Sequence, residues 1–264
     1  ILLLKTLTIY FLSLKMKFTI LGCGSSMGVP RADGFFGKCN PKNKKNYRTR
    51  CSALLQSNNA NILIDTSPDL RMQLLSNKIT SIDKVLYSHM HADQTHGIND
   101  LRVFFIKNRK TLDIYADLNT RKYLYKNFSY CFDTNSYEYP ATLKMHPIKK
   151  NLYFKKKNEK IRVKCISVEH GNVKSICYIF NDKLAYISDV SKIQKKDYKH
   201  FKNLKFLIID CLWYRNHPSH LNLNKSLELI ELFSPKKAVL TNLHSDLDYH
   251  ELNNKLKKNI IPAH

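Results

Sequence analysis

The sequence predicts an α/β protein built as one large domain, and three observations support this fold class. Apolar runs typical of strands and patterns typical of helices follow one another in each half of the chain. No segment rich in proline, glycine or serine divides the 264 residues, of which 43% are hydrophobic, an ordinary globular value. Several apolar runs also end directly in a histidine or an aspartate, so that strands can aim polar side chains at one point.

The predicted elements have the same order in both halves, strands first and helices after them. In the first half we expect strands at 17–21, 52–56, 61–65, 85–87 and 112–115, and helices at 68–75 and near 119–127. Asn58 and Asn59 indicate a hairpin, and Ser67 is the expected N-cap of the first helix. In the second half we expect strands near 161–168, 174–180, 184–188, 205–210 and 237–241, and helices at 223–233 and near 248–258.

The segment 88–97, with the sequence SHMHADQTHG, is the most informative part of the chain. It follows the apolar run 85–87 and places three imidazoles and a carboxylate within eight residues. Neutral imidazole nitrogens and carboxylate oxygens are the ligands that a borderline Lewis acid such as Zn²⁺ prefers. A polar loop that is merely rich in histidine is the alternative.

Ligand-type residues recur downstream in the same setting, each after an apolar run. His170 follows 166–169, Asp189 follows 184–188, and His244 follows 238–243. Each of these alone is more typical of a satisfied polar residue than of a ligand. As an ordered set of HxHxD, His, Asp and His, they favour a metal site.

This ordered set is similar to that of a known family. After Met16, the chain resembles the metallo-β-lactamase-fold hydrolases, and within them the phosphodiesterase branch that includes phosphoribosyl 1,2-cyclic phosphate phosphodiesterase. The closer likeness rests on six motifs: LGCGSSMGVP at 21–30, NYRTRCS at 46–52, IDTSPDLR at 64–71, HGINDLR at 96–102, HPSHL at 217–221 and TNLHSDLDY at 241–249. The resemblance implies a four-layer αβ/βα sandwich with the site at the edge between two sheets.

The resemblance also implies a binuclear metal site that binds Zn²⁺ or Mn²⁺. One ion would be held by His89, His91 and His170. The other would be held by Asp93, the residue at position 94 and His244, with Asp189 bridging the two. Two such ions lower the pKa of water to about 7 and stabilise an in-line displacement, so the expected reaction is attack of a metal-bound hydroxide on a phosphodiester.

Gln94 departs from the family pattern, which has histidine directly after the motif aspartate. An amide oxygen is a poorer zinc ligand than imidazole, so the second metal is expected to be weaker, exchangeable or a harder ion such as Mn²⁺. His96 could support Asp93, because residues spaced i, i+3 share a helix face, or could coordinate if the turn is distorted. A non-catalytic protein with a degenerate site is the corresponding alternative.

His220 is the candidate general acid, since the resemblance places it in the active site, where it would protonate a leaving alkoxide or bind phosphate. The alternative for His217 and His220 is a surface turn, which is the favoured interpretation for His217. Asp65 is expected to orient a ligand histidine. The expected catalytic residues are therefore Asp93, Asp189 and His220.

Composition limits the partners and the compartment. The formal charge of +23 is spread over the whole chain, which fits codon bias better than a nucleic-acid surface, although it favours a phosphate-bearing substrate. Seven cysteines without a CxxC or CxC pair indicate reduced thiols in a cytoplasmic protein. Residues 1–15 resemble neither a signal peptide nor a membrane span. We expect them to be an over-extended reading frame before a domain at 16–264, with a membrane-surface anchor as the alternative.

The sequence therefore predicts a metal-dependent phosphodiesterase acting on a small, cyclic phosphodiester. A nuclease of the same fold is the nearest alternative. Nucleic acid is the less favoured partner, no membrane partner is expected, and a homodimer is left open.

Overall fold

The computed structural model describes residues 6–11, 16–58, 60–133, 140–156 and 159–264. They fall into two compact units, one formed by 1–21 and 52–148, the other by 22–51 and 149–264. Each unit has a seven-stranded mixed sheet with helices packed on it, so the predicted α/β class is confirmed. In the described part of the chain, no helix combines the length and the apolar character needed to cross a membrane.

The first unit contains strands β1 to β7, which lie in chain order across its sheet. The two hairpins β1–β2 and β3–β4 are antiparallel, and β4 to β7 run parallel. The strands are β1 (Thr8–Phe11), β2 (Met16–Gly22), β3 (Ser52–Gln56), β4 (Asn61–Ile64), β5 (Lys84–Leu86), β6 (Leu112–Ala116) and β7 (Leu143–Pro147). The helices are α1 (Leu70–Ser76), α2 (Ala92–Thr95), α3 (Arg102–Asn108) and α4 (Leu118–Phe128).

The core of this unit forms between the sheet and the apolar faces of its helices. Leu70 of α1, Phe104 of α3 and Leu124 of α4 are buried in one cluster with sheet residues such as Val85 and Ile114. This packing leaves the loop after β5 at the carboxyl edge of a parallel region, where the predicted ligand segment begins.

The second unit contains β8 to β14, with a sheet order that is again the chain order. Strands β8 to β11 are antiparallel, whereas β11 to β14 are parallel. The strands are β8 (Asn151–Lys156), β9 (Glu159–His170), β10 (Val173–Phe180), β11 (Leu184–Ile187), β12 (Phe206–Asp210), β13 (Lys237–Thr241) and β14 (Ile260–Pro262). Helices α5 (Leu223–Phe233) and α6 (Tyr249–Lys255) cover one face.

Most predicted elements of both halves are present, and the differences have local causes. The predicted helix at 68–75 begins only at Leu70, and Ser67 is not its N-cap, which is Asp69. The Ser67 hydroxyl instead accepts the N–H of Asp69 at 2.9 Å, so it stabilises a turn before the helix. The proposed hairpin turn at 58–59 lies partly outside the described residues.

Residues 6–11 pair with the domain rather than standing apart from it. Thr8 lies opposite Thr19 in the β1–β2 ladder, and Ile9 is buried. The rest of the segment expected to be dispensable, residues 1–5 and 12–15, lies outside the described residues.

A chain that begins at Met16 is expected to fold and to be as active as the full chain. It loses one edge strand and the burial of one isoleucine, which is about 1.5–3 kcal/mol of unfolding free energy. Chemical denaturation of both chains measures this loss, and Ile9→Ala in the full chain is the matched control. Membrane binding that disappears with residues 1–15 would instead support an anchor.

Candidate metal centre

The ligand segment of the first unit leaves β5 and passes directly into the short helix α2. Ser88 donates its backbone N–H to the Asp65 carboxylate at 2.7 Å, and its hydroxyl lies 3.0 Å from Nδ1 of His89. Asp65 is fully buried with a φ of 60°, in the left-handed region that non-glycine residues seldom adopt. The predicted role of Asp65 as an orienting group thus has a physical route, through the backbone that carries His89.

His89 and His91 bring two imidazole nitrogens close together. Nε2 of the buried His89 lies 3.0 Å from Nδ1 of the exposed His91. Two nitrogens bound to one tetrahedral zinc at about 2.0–2.1 Å would be separated by about 3.3 Å. The pair therefore has nearly the spacing that a shared metal ion requires.

Asp93 and Gln94 follow in α2, where they contact each other. Gln94 is completely buried and donates its side-chain amide to Asp93 Oδ2 at 3.3 Å. In this arrangement the amide orients the carboxylate. His96 points elsewhere, because its Nε2 lies 2.9 Å from the Tyr123 hydroxyl of α4 and its ring packs edge-on against Phe128.

The loop after β4 stabilises the ligand segment through two backbone hydrogen bonds. The Thr66 backbone N–H donates to the Gln94 carbonyl at 2.8 Å, and Gly97 donates back to the Thr66 carbonyl at 2.9 Å. A Cβ at Gly97 would lie 2.0 Å from the Ser67 carbonyl oxygen. Only glycine permits this close approach, which holds the loop after β4 against the ligand segment.

In the second unit, three ligand-type side chains converge. His170 is the last residue of β9, Asp189 follows β11, and His220 lies in the loop between β12 and α5. Their potential ligand atoms all lie within 4.8 Å of one another. His170 and Asp189 are both buried, so the group has the donor chemistry and the low exposure of a metal site.

The orientation of His170 is fixed by a backbone carbonyl. Its Nδ1 lies 2.7 Å from the oxygen of Ser219, which accepts the Nδ1 proton and so leaves the ring lone pair on Nε2. Gly171, with a φ of 57°, lets the chain pass Ser219 closely, since a Cβ there would lie 2.8 Å from the Ser219 side chain.

Asp210 is a residue of this site that sequence reasoning missed. It is fully buried at the end of β12, and its Oδ2 lies 2.8 Å from His220 Nδ1 and 3.0 Å from the Val190 backbone nitrogen. Asn242 donates to its Oδ1 at 3.1 Å. Burial raises the pKa of the Asp210 carboxyl, while His220 acts in the opposite direction. The sequence did contain a signal for Asp210, because this residue ends an apolar run just as Asp189 follows one.

His244 follows β13 but does not belong to the group formed by His170, Asp189 and His220. Its Nδ1 lies 3.2 Å from the Asp246 backbone nitrogen, and its ring packs 4.8 Å from Trp213. Burial lowers the pKa of His244, and Arg31 lowers it further against the effect of Asp246. A lower pKa favours the neutral ring, which is the state that a metal ligand needs.

His217 contacts its own turn. Its Nδ1 lies 3.1 Å from the Ser219 hydroxyl, and its ring lies 5.1 Å from that of His220. Burial lowers the pKa of His217, followed by the effects of His220 and His170.

Comparison with known proteins decides the family. The profile of the "Beta-lactamase superfamily domain" matches residues 60–242. The chain belongs to this superfamily. It is a metallo-β-lactamase-fold hydrolase related to the PhnP family, as the sequence motifs predicted.

Solved structures show the same fold over nearly the whole chain. A diphosphatase of the PhnP family is 29% identical, with a TM-score of 0.84 over 94% of this chain and 95% of its own. Zinc-bound PqqB from Methylobacterium extorquens is 16% identical, with a TM-score of 0.75 over 94% and 97%. The short form of human tRNase Z is 15% identical, with a TM-score of 0.63 over 86% and 92%. The last two likenesses concern the metallo-β-lactamase fold alone.

A curated relative is considerably longer than this chain. The octanoyltransferase of Porphyromonas gingivalis is 30% identical over 238 residues, which are 89% of this chain and 47% of that protein. The chain thus spans about half the length of this relative.

If Gln94 is a weak amide ligand of a second metal, as the sequence predicts, Gln94→His should tighten that metal about 10–100-fold, because imidazole is the stronger ligand. Metal titration of both proteins at constant pH, read as stoichiometry and affinity, checks this. His96→Gln is the matched control and should leave both values unchanged, since His96 bonds Tyr123. Two tight metals in the parent and no change on Gln94→His would show that position 94 does not limit binding.

Proposed function

We propose that the protein is a metal-dependent phosphodiesterase that hydrolyses a small phosphodiester, with a cyclic phosphodiester as the favoured substrate class. The observation that carries this proposal is the Asp210–His220 pair beside His170 and Asp189 in the second unit. A phosphodiester has an alkoxide leaving group, and a positioned acid that protonates it contributes about 10²–10⁴-fold.

The proposed metal ligands are the residues that the sequence predicts, namely His89, His91, Asp93, Gln94, His170, Asp189 and His244. Apart from the Gln94 amide, these donors are imidazoles and carboxylates, which fit a divalent ion such as Zn²⁺ or Mn²⁺. Such ions, when bound, stabilise negative charge on phosphoryl oxygens and lower the pKa of water.

Asp189 is proposed as the ligand common to two ions, since a carboxylate has two oxygens. It is buried, and the Asn242 amide nitrogen lies 3.5 Å from its Oδ1. This amide also contacts Asp210, so one side chain sets the position of both carboxylates.

His220 is proposed as the group that gives a proton to the leaving oxygen. With its Nδ1–H directed at Asp210, the ring would exchange protons through Nε2. The Asp210 carboxylate holds this tautomer and stabilises the imidazolium, so it acts as a positioning residue.

A diphosphate is the second candidate substrate. It is favoured by the 29% identity to a PhnP-family protein that is a diphosphatase. A diphosphate and a cyclic phosphodiester share the phosphoryl centre and differ in the leaving group, so the two candidates use the same proposed residues.

Substrate comparison tests the proposed function. The protein would be stripped of metal by dialysis and reloaded with Zn²⁺ or Mn²⁺. The kcat/KM would then be measured on bis-p-nitrophenyl phosphate, a ribose 1,2-cyclic phosphate, a diphosphate ester and a short RNA. We expect activity only in the reloaded protein and the highest kcat/KM on the cyclic compound. Preference for the diphosphate would support the second candidate, preference for RNA would support a nuclease, and hydrolysis of none would contradict the function.

Asp189→Ala is expected to abolish hydrolysis and to lower metal content while the fold is retained. The carboxylate that the two ions would share is lost, and the neighbouring Asp210 is already bonded to Val190, Asn242 and His220. Activity, bound metal and circular dichroism are the measurements. Glu231→Ala, which removes an exposed carboxylate of the same unit, is the control. Near-normal turnover in Asp189→Ala would refute the two-metal proposal.

His220→Gln separates proton donation from metal binding. If His220 protonates the leaving group, kcat should fall about 10²–10⁴-fold on an alkyl phosphodiester. It should fall much less on the p-nitrophenyl ester, whose leaving group departs without a proton, and metal content should not change. Asp210→Asn should move the alkaline limb of the pH–rate profile to lower pH, because the lost carboxylate no longer stabilises the imidazolium of His220. Metal loss in His220→Gln would instead identify a ligand.

A further inference from the structure

A cavity of about 680 Å³ lies in the second unit, beside β9 and away from the ends of the parallel strands. Its lining is dominated by cationic side chains from β9, β10, the residue before β8 and the 3₁₀ helix Lys195–His200. The lining residues that carry or oppose this charge are Lys150, Lys164, Lys174, Lys196, Lys199, His200 and Asp197. Five lysines and one aspartate give a formal charge of +4 with His200 neutral.

The floor of this cavity is an open stretch of strand edge. On the β8 side of β9, Cys165 donates its backbone N–H to Lys150 at 3.0 Å, and Glu169 donates to Lys192 at 3.0 Å. Backbone groups alternate sides along an antiparallel strand, so the N–H of Ser167 points to the same edge between these two bonds. Ser167 lines the cavity, which places a backbone donor among the lysines.

The lysines of the cavity act on one another. The half-buried Lys164 lies 3.1 Å from Nδ1 of His200, and its ion pair with Asp182 is longer, at 3.4 Å. Burial lowers the pKa of Lys164, and Arg162, Lys150 and Lys199 lower it further. Burial also lowers the pKa of His200, as do Lys164 and Lys199, while Asp197 opposes them. A solvated lysine run on a convex surface would not show this mutual repulsion.

We propose that this cavity binds a small molecule that carries at least two phosphate groups. One phosphate of charge about −2 leaves half of the +4 charge unbalanced, whereas a chain of phosphates matches it. The volume is that of a small-molecule site. Among the described residues that line the cavity there is no Phe, Tyr or Trp side chain, and these are the rings on which single-stranded nucleic acid mainly stacks. The site lies outside the proposed metal ligands and does not depend on the proposed reaction.

Calorimetric titration with inorganic tripolyphosphate and with orthophosphate tests this proposal. The metal-loaded protein should bind tripolyphosphate at least about tenfold more tightly than orthophosphate, with an affinity that falls as salt is added. The Lys164→Gln/Lys199→Gln protein should lose at least about tenfold in tripolyphosphate affinity, because two charge-assisted contacts are removed. Metal content measured before and after titration excludes chelation as the source of heat.

The matched control is Lys236→Gln/Lys237→Gln, which removes two exposed lysines of the same unit outside the cavity. All three proteins should hydrolyse bis-p-nitrophenyl phosphate at the same rate. Equal tripolyphosphate affinity in the cavity and control variants would overturn the proposal. The proposal would also be overturned, in favour of a nucleic-acid surface, by a short single-stranded RNA that binds the parent more tightly than tripolyphosphate does and that binds the cavity variant more weakly than the parent.

The imidazole of His200 provides a second measurement that does not rely on heat. A bound polyanion offsets the charges of Lys164 and Lys199, so it should raise the pKa of His200. Titration of the His200 ring by NMR, with and without tripolyphosphate, measures this shift. An unchanged His200 resonance at saturating ligand would place the ligand elsewhere and refute the site.

Discussion

The buried carboxylate of Asp210 is the constraint on which the chemistry of the second unit depends. It lies at the carboxyl end of β12, between the ends of β11 and β13, and binds a group from each neighbour. The bond from Val190 fixes the chain directly after Asp189, and the bond from Asn242 fixes the chain just before His244. One side chain therefore sets the relative positions of three strand ends, together with the ring of His220.

This arrangement carries an energetic cost that explains its geometry. A buried carboxylate without partners would be strongly destabilising, and removing one partner of a buried charged pair typically costs about 3–5 kcal/mol. Asp210 meets the requirement with a backbone N–H, an amide and an imidazole, so that charge and hydrogen bonding are both satisfied. Asn242 adopts a φ of 61°, a backbone state that few side chains tolerate, and this strain is offset by contacts to Asp210 and Asp189. The position of the Asp210 carboxylate is thus fixed by these three protein groups.

Sequence reasoning located the ligand-bearing loops because strand ends are the part of this fold that a linear pattern describes well. The bounds of β13 and α5 coincide with the predicted 237–241 and 223–233, where apolar periodicity is strong. The strands that were missed are the four edge strands, β1, β7, β8 and β14. They are short or interrupt their apolar residues with polar ones, as is common at sheet edges. Contacts between distant segments leave no periodic signal in the sequence. Examples are the hydrogen bond from Thr66 to Gln94 and the contact of His96 with Tyr123. His96 in particular was weighed as a partner of Asp93, and its bond to a helix far along the chain could not be inferred from spacing.

The net charge of the protein is a second property whose meaning depends on where the charged residues lie in the fold. A value of +23 spread over the whole chain is poor evidence for any ligand, since an exposed lysine is solvated wherever it stands. What distinguishes β9 is that its hydrogen bonding on the β8 side stops at Cys165, opposite Lys150, and resumes only at Glu169, opposite Lys192, which leaves a gap in the sheet edge. The lysines around this gap surround a backbone donor in a concave space, where solvent screens them less than on an open surface. The composition provides many lysines, but it is the sheet topology that brings five of them around one cavity, where together they can bind an anion.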